Sequence, residues 1–303
     1  MDLQFDDRVV IVTGAGQGLG RSHAVEFAKR GAKVVVNDLG TGTDGSGAST
    51  SLAQKLVDEI KALGGVAVAN TDSVEDGAKI VEAAMDAFGR VDVLVNNAGV
   101  LRDSAFHKMS DEVWDLIYRV HLLGSFKVTR AAWPHMRAAN YGRVIMTTSI
   151  AGIYGNFGQA NYAAAKLGLH GLAQTLAIEG ASKNIFVNTI APTAGSRLTA
   201  TVLPPEVVEA LKPEYVTPAV VLLAHETAPV TGKLFEVGGG WVSQTRWEQT
   251  QGCFFQNQFS AEELRAKWDD VTSFENPRHA ANVAESKTGI EERLGRKLEL
   301  VRR

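Results

Sequence analysis

Short apolar runs alternate with longer amphipathic stretches along the chain, which is typical of parallel strands joined by crossover helices. Seven runs rich in β-branched residues predict buried strands at residues 8–13, 33–37, 66–70, 91–96, 143–148, 185–190 and 234–237. Helical patterns fill the intervals, for example at residues 22–30, 50–63, 78–88, 110–137 and 162–181. The pattern therefore predicts an α/β domain with one doubly wound, parallel, seven-stranded sheet.

The chain changes character after the last predicted strand. Residues 242–303 are richer in charged and amide side chains, so we predict a catalytic domain over residues 1–241 and a partly helical C-terminal extension. Ser260 and Glu263 form a capping box that is expected to begin a helix. The extension also contains large aromatic residues, namely Trp247, Phe254, Phe255 and Trp268. So much apolar surface is expected to pack on the same domain or on a partner subunit.

The composition narrows the classes of function. The 303 residues are 45% apolar and carry a net charge of -3 with both signs interspersed, so no basic stripe points to nucleic acid or an anionic membrane. Cys253 is the single cysteine, and the seven histidines show no metal-ligand spacing, so we expect no disulfide and no metal site. The chain starts with an acidic segment, and no run approaches membrane-spanning length. We expect a soluble, cytoplasmic protein that acts on a small molecule.

A glycine-rich turn, residues 13–20, follows the first predicted strand and precedes a helix. This context allows close backbone approach to a dinucleotide, directs amides at phosphate and uses the positive end of the helix. Asp38 ends the second strand, where a carboxylate would bind a ribose 2′-OH and repel a 2′-phosphate, and no Arg or Lys flanks it. The sequence thus predicts a Rossmann-type site that prefers NAD to NADP. The competing interpretation of Asp38 is a turn or cap residue.

Two more segments are predicted to reach the same edge of the sheet. Asp72 closes the third strand, where it could accept a hydrogen bond from an adenine amino group or, alternatively, cap a helix. Residues 96–99, Asn-Asn-Ala-Gly, end the fourth strand at the carboxyl edge, where open α/β sheets bind ligands. Their small side chains would let a cofactor approach.

Ser149, Tyr162 and Lys166 are the predicted catalytic residues. A phenol titrates near 10 in water, so it needs a neighbouring cation to act as a base at neutral pH. Lys166 follows Tyr162 by one helical turn, so the two side chains share a face, and we expect the ammonium group to lower the pKa of the phenol. Ser149 would polarise the substrate oxygen. The competing interpretation is that this Tyr-Lys spacing occurs by chance in a helix.

Together, the glycine turn, the Asn-Asn-Ala-Gly segment, Ser149, the Tyr162–Lys166 spacing and a proline after the sixth strand resemble the short-chain dehydrogenase/reductase superfamily over residues 5–241. A narrower resemblance is to the (3R)-hydroxyacyl-CoA dehydrogenase domains of the peroxisomal multifunctional enzyme type 2 family, also called 17β-hydroxysteroid dehydrogenase type 4. It is carried by residues 99–115, 119–133, 152–172, 188–199 and 238–250.

The resemblance implies an NAD-dependent oxidoreductase that interconverts a secondary alcohol and a ketone, with Tyr162 as the base and Lys166 also binding the nicotinamide ribose. The predicted cofactor contacts are Gly14, Gln17, Gly18, Leu19, Asp38, Asp72, Ser73, Asn96, Ala98, Gly99, Tyr162, Lys166 and Pro192. The implied substrate is a (3R)-3-hydroxyacyl-CoA, with a 17β-hydroxysteroid as the alternative. A homodimer, or a tetramer, is implied through the helices predicted at residues 110–137 and 162–181. A non-catalytic nucleotide-binding scaffold is the alternative of another class, but such a protein would be expected to lose at least one of the three catalytic residues.

Some positions depart from the superfamily pattern or leave alternatives open. His121 stands where many members have an Asn that holds a relay water, so it is either a supporting residue or a packed helical histidine. Arg197, in the predicted substrate lid, could meet a CoA phosphate or be a solvated surface residue. Tyr154 and Phe157 could line an apolar pocket. The C-terminus carries no Ser-Lys-Leu signal and no further domain, so we expect a free-standing bacterial-type enzyme.

Overall fold

All seven predicted strands are present in the computed structural model, which describes residues 2–41, 51–195 and 204–297. The strands are β1 Val9–Thr13, β2 Lys33–Asn37, β3 Val66–Asn70, β4 Val93–Asn96, β5 Gly142–Thr147, β6 Ile185–Pro192 and β7 Leu234–Gly238. They pair in parallel in the order β3-β2-β1-β4-β5-β6-β7. The predicted fold class is confirmed.

The sheet has eight strands rather than the predicted seven, because β8, Trp241–Thr245, lies beside β7. Gly239 and Gly240 connect the two strands with φ angles of 56° and 81°, which suit a two-residue hairpin turn. The prediction missed β8 because it searched for buried apolar runs. Trp241 and Val242 are both more than half exposed, so this edge strand lacks that pattern.

Helices cover both faces of the sheet. They are α1 Gly18–Lys29, α2 Ser51–Ala62, α3 Gly77–Phe88, α4 Asp111–Ile117, α5 Gly124–Ala139, α6 Ile150–Tyr154, α7 Ala160–Gly180, α8 Pro205–Ala210 and α9 Thr217–Ala224. Val10 and Val12 of β1 pack in one core with Phe27 of α1, whereas Val9 and Ile11 pack in the core on the other face. This two-residue alternation follows from the strand pleat and gives each face its own layer of helices.

The helix predicted at residues 110–137 is interrupted. A π-helix, Tyr118–Leu123, separates α4 from α5. Such wide turns are rare and often occur at functional sites. His121 lies in this turn, beside the carboxyl edge of the sheet.

The chain divides into two units, Met1–Gln244 and Thr245–Arg303. The second unit contains α10 Ala261–Ala266, α11 Trp268–Thr272, α12 Val283–Ser286 and α13 Thr288–Leu294. The predicted capping box is confirmed: Ser260 Oγ accepts from Glu263 N at 3.2 Å, and Glu263 Oε2 accepts from Ser260 N at 2.8 Å. No helix within the described ranges is long and apolar enough to cross a membrane.

Candidate active site

The glycine-rich turn lies where the sheet order reverses, between β1 and β4. Gly14 has a φ of 61°, and a Cβ there would lie 2.8 Å from Ala98 Cα, so only glycine fits. Gln17 is the N-cap residue of α1, but its side chain makes no capping hydrogen bond. The first N–H groups of the helix are therefore available to a ligand. A Cβ on Gly18 would meet nothing within 4 Å. The turn therefore offers both donors and room for an anionic group.

Asp38 both shapes the turn and faces the cleft above it. Its Oδ2 accepts from Gly16 N at 2.7 Å, and its Oδ1 accepts from Gly40 N at 2.7 Å. Asp38 is therefore a turn residue, as one of its two interpretations predicted. However, each carboxylate oxygen has a second lone pair, and Asp38 lines a cleft of about 510 Å³, so it can also accept from ribose hydroxyls.

Asp72 and Ser73 line the same cleft. Ser73, rather than Asp72, caps the short helix Val74–Asp76, because its Oγ accepts from Glu75 N at 3.2 Å. Asp72 Oδ2 instead accepts from Asn70 Nδ2 at 2.8 Å. The capping alternative for Asp72 is therefore wrong. Asn70, which the sequence analysis did not single out, orients this carboxylate.

The Asn-Asn-Ala-Gly segment is bonded to the glycine turn. Asn97 Nδ2 donates to Thr13 O at 3.0 Å and to Gly14 O at 3.1 Å, while Thr13 Oγ1 accepts from the N–H groups of Asn97 and Ala98. Asn97 and Gly99 line the cleft. In contrast, the Asn96 side chain is buried and donates to Thr129 Oγ1 at 2.9 Å. The sequence analysis placed Thr13 and Asn97 in these two segments but named Asn96 rather than Asn97 as a cofactor contact and gave Thr13 no role of its own.

A second cleft of about 270 Å³ continues from the first. The two share the lining residues Gly18, Leu19, Asn97, Gly99 and Val100. The second cleft is also lined by Tyr162, Lys166, His121 and Pro192. The predicted cofactor turn and the predicted catalytic helix thus border one continuous groove.

Tyr162, on α7, lines the second cleft. Ser149, which follows β5 and is not one of the lining residues, is hydrogen-bonded to Tyr162. Ser149 caps α6: its Oγ accepts from Ala151 N at 3.2 Å, and its hydroxyl hydrogen is directed toward Tyr162. Burial raises the pKa of Tyr162, and a hydrogen bond with the Ser149 hydroxyl opposes this shift. The hydroxyl is therefore placed to stabilise an oxygen anion beside the phenol.

Lys166 is almost fully buried, and burial lowers its pKa to about 7. Its Nζ donates to Thr147 O at 2.6 Å and lies 5.5 Å from the centroid of the Tyr162 ring. The expectation that Lys166 lowers the pKa of Tyr162 is wrong for this structure, in which the pKa of the phenol is raised. The reason is that desolvation acts on both groups: it disfavours the phenolate and the ammonium charge that would stabilise it.

His121 packs against Tyr162 and feels the charge of Lys166. Its ring lies edge-on to Tyr162 with centroids 5.2 Å apart, and its Nε2 lies 2.7 Å from Val100 O. Burial, followed by the nearby Lys166 charge, lowers the pKa of His121 to about 3, so the imidazole is neutral. Its Nδ1 is buried without a hydrogen-bond partner in the described part of the chain. His121 is a packed histidine that also presents an acceptor beside the groove.

The remaining predicted residues are placed as follows. Pro192 lines the second cleft, and the next residue is anchored by Thr193 N donating to Val237 O at 2.8 Å. Tyr154 and Phe157 line neither cleft, and their side chains are 71% and 90% exposed. Arg197 lies outside the described residues. Across the described ranges, no cluster of His, Cys, Asp or Glu could hold a metal ion.

A doubly wound sheet with a glycine turn at its switch point is typical of the class of proteins that bind a dinucleotide. The chain belongs to the short chain dehydrogenase family, whose sequence model matches residues 8–202. The family predicted from the motifs is confirmed, and the protein is an oxidoreductase of that family.

Three known proteins show the extent of the similarity. The chain is 58% identical over 295 residues to peroxisomal multifunctional enzyme type 2 of Mus musculus, which covers 96% of this chain and 40% of that protein. The structure of the full-length Drosophila melanogaster enzyme of the same name superposes with a TM-score of 0.83 at 43% identity, over 97% of this chain and 50% of that one. A 7α-hydroxysteroid dehydrogenase, solved with NADH and 7-oxo glycochenodeoxycholic acid, gives a TM-score of 0.70 at 30% identity, over 78% of this chain and 95% of that one. The chain thus spans half or less of the length of the two multifunctional enzymes.

Proposed function

We propose that this protein is an NAD-dependent dehydrogenase that oxidises (3R)-3-hydroxyacyl-CoA to 3-ketoacyl-CoA in fatty-acid or steroid side-chain β-oxidation. The observation that carries the proposal is the continuous groove, which has the glycine turn and Asp38 in one part and Tyr162 and Lys166 in the other. The substrate class rests on the similarity to the multifunctional enzymes of mouse and Drosophila and on the resemblance to their hydroxyacyl-CoA dehydrogenase domains.

The groove fits a nicotinamide dinucleotide. The free N–H groups of the turn would hold the diphosphate, Asp38 the adenosine ribose, and Asp72 with Ser73 the adenine. Asn97, Gly99, Pro192 and Lys166 line the second cleft and would hold the nicotinamide and its ribose. NAD⁺ bound there would supply the acceptor for the hydride that leaves the carbinol carbon of the substrate.

Tyr162 would act as the base that removes the proton of the substrate hydroxyl, since it is the phenol that lines the second cleft. Burial raises its pKa in this structure, so the role requires positive charge beside the phenol, from Lys166 and from NAD⁺ when it is bound, to lower that pKa. The Ser149 hydroxyl, which is bonded to Tyr162 in this structure, would donate to the substrate oxygen when substrate binds and stabilise its developing charge. Lys166, with a pKa of about 7, exchanges protons near neutral pH, so it supplies positive charge beside the phenolate and can pass a proton onward.

A panel of substrates tests the reaction class. We expect NADH formation at 340 nm with a (3R)-3-hydroxyacyl-CoA and little with a matched 17β-hydroxysteroid. The steroid is the second candidate because of the similarity to 7α-hydroxysteroid dehydrogenase. Turnover of the steroid alone would change the proposed substrate but not the proposed catalytic residues. No turnover of either compound would favour the nucleotide-binding scaffold.

Asp38→Asn is expected to weaken the preference for NAD. The wild-type protein should bind NADH at least about 100-fold more tightly than NADPH, because the carboxylate repels a 2′-phosphate, and the variant should narrow this ratio to about 10-fold or less. Calorimetric titration of each dinucleotide measures the ratio without turnover. Asp86→Asn, a change of an exposed aspartate on α3, is the matched control. An unchanged ratio in Asp38→Asn would show that Asp38 only holds the turn.

A homodimer is the proposed assembly. An apolar groove of about 330 Å³ lies between α5 and α7 and is lined by Phe126, Trp133, Leu172 and Leu176 among others. The family resemblance supports a dimer interface on these helices. Light scattering is expected to give twice the chain mass of 32.5 kDa, and Leu176→Glu is expected to shift it toward the monomer, unlike the exposed control Leu63→Glu. A monomeric wild type would contradict the assembly.

The cytoplasmic location predicted from the sequence stays a prediction, because the names of the mouse and Drosophila relatives describe peroxisomal enzymes. Fluorescence of the full chain fused to a reporter in its own cells checks it. A signal confined to peroxisomes would contradict it.

A further inference from the structure

Two loops at the carboxyl edge of the sheet are hydrogen-bonded side by side. One follows β4 and contains residues 102–106, and the other lies between α6 and α7 and contains residues 155–159. The bonds run from Asn161 Nδ2 to Arg102 O at 3.3 Å, from Gln159 Nε2 to Asp103 Oδ2 at 2.8 Å, and from Ser104 N to Gly158 O at 2.8 Å. The loops are therefore held in place beside Tyr162, the next residue after Asn161.

The three most exposed large apolar or aromatic side chains in the described ranges all lie on these loops or directly before them. Phe157 is 90% exposed, Phe106 is 75% exposed and Tyr154 is 71% exposed. Single exposed apolar residues are ordinary, but three on two loops that are hydrogen-bonded to each other next to Tyr162 are a candidate binding surface. Tyr154 is already committed, because its hydroxyl donates to Glu236 Oε1 at 2.8 Å. The two phenylalanines are the apolar surface that is left.

The loop that carries Phe157 has a glycine with positive φ on each side of the exposed ring. Gly155 and Gly158 bracket it with φ angles of 76° and 78°, a conformation that side chains rarely adopt, and Asn156 Nδ2 donates to Gln159 Oε1 at 2.9 Å within the same loop. The backbone conformation of this loop thus depends on its two glycines, and it presents the Phe157 ring to solvent. An aromatic ring held in water is suited to contact with an apolar ligand.

The groove itself leaves little room for a long chain. Its catalytic part has a volume of about 270 Å³ and shares its walls with the predicted cofactor site. A substrate whose oxygen lies at Ser149 and Tyr162 must therefore extend any long tail over the neighbouring surface. The aromatic rings suit an acyl tail rather than the phosphorylated CoA moiety.

We propose that Phe157 and Phe106 form the surface that contacts the acyl chain of the substrate, and that Phe157 sets the preference for long chains. The inference rests on the proposed function, which supplies the acyl-CoA substrate. Phe157 is a specificity-determining residue in this account and takes no part in the hydride transfer.

The test compares kcat/KM for (3R)-3-hydroxybutyryl-CoA and (3R)-3-hydroxypalmitoyl-CoA at saturating NAD⁺. Phe157→Ala is expected to lower kcat/KM for the palmitoyl substrate about 10-fold and to change it less than about twofold for the butyryl substrate, since only the long chain reaches the ring. Phe157→Leu, which keeps an apolar side chain, is expected to retain most of the preference. Leu63→Ala, an exposed apolar truncation after α2, is the matched control and should change neither value.

Binding of palmitoyl-CoA and butyryl-CoA to the same variants, measured by calorimetry, gives a readout that needs no turnover. Phe157→Ala is expected to weaken the binding of palmitoyl-CoA alone. Equal losses for both chain lengths, or no loss, in an enzyme that turns over both thioesters would overturn this inference and leave the proposed function intact. A wild type that neither binds nor turns over either thioester would overturn the proposed function and the inference with it.

Discussion

Tyr162→Phe is expected to lower kcat by at least about 100-fold, which is the lower range for removal of a general acid/base. The phenol is the group that takes the substrate proton in the proposed mechanism, and the Ser149 hydroxyl, its hydrogen-bond partner, cannot replace it as a base at neutral pH. The ring itself remains in Phe, so its contact with His121 and with the small core around Ile117 is kept. The melting temperature should therefore stay close to that of the wild type.

Initial rates with saturating (3R)-3-hydroxyacyl-CoA and NAD⁺, together with thermal unfolding, check this prediction. Tyr141→Phe is the matched control, because Tyr141 precedes β5 at the opposite edge of the sheet and stacks with Arg8 and Arg143. We expect the control to keep the wild-type rate. A Tyr162→Phe enzyme whose kcat stays within about 10-fold of the wild type would refute the assignment of the base.

Lys166→Met is the second change with a large expected effect. It should lower kcat/KM by about 100-fold or more, because it removes the positive charge beside the phenol and the group proposed to bind the nicotinamide ribose. It should also relieve a cost in stability, since burial of the lysine lowers its pKa to about 7. Activity and stability are expected to change in opposite directions at low pH.

The sign of the stability effect follows from proton binding. Between pH 7 and pH 10.5, the unfolded chain holds a proton on Lys166 that the folded chain has released, so this lysine makes stability rise with pH in that window. Below pH 7 both states are protonated and the full cost of the buried charge is present. The melting temperature of Lys166→Met relative to the wild type should therefore be higher at about pH 6 than at about pH 9.5.

Calorimetric unfolding at the two pH values measures this difference, with the exposed lysine variant Lys29→Met as the control. Equal differences at both pH values would show that Lys166 carries no buried charge. Wild-type activity in Lys166→Met would remove it from the catalytic set.

The sheet could be predicted because its strands carry the information locally. Residues such as Val10, Ile11 and Val12 are fully buried on both faces, so each strand reads as a continuous apolar run. Strand β8 has no such run, because Trp241 and Val242 face solvent at the edge. The π-helix was also missed, since the hydrophobic period around His121 does not distinguish a wide turn from a regular one.

The site was predictable where a residue type and a spacing define its chemistry, as for Tyr162 and Lys166. The supporting residues were not, because their roles depend on hydrogen bonds between distant segments. Thr13 and Asn97 join β1 to β4, and Thr147 O holds Lys166. Thr13 could have been recognised from the sequence as a supporting residue, because it is a polar side chain at the end of a buried strand. The direction of the Tyr162 pKa depends on burial, which the spacing alone does not reveal.

The most direct measurement is the initial rate of NAD⁺ reduction with enantiomerically pure (3R)- and (3S)-3-hydroxyacyl-CoA of the same chain length. The account predicts rapid turnover of the 3R thioester, little or none of the 3S thioester, and a much lower rate when NADP⁺ replaces NAD⁺. Turnover of the 3S thioester alone, or of neither, would contradict the proposed dehydrogenase.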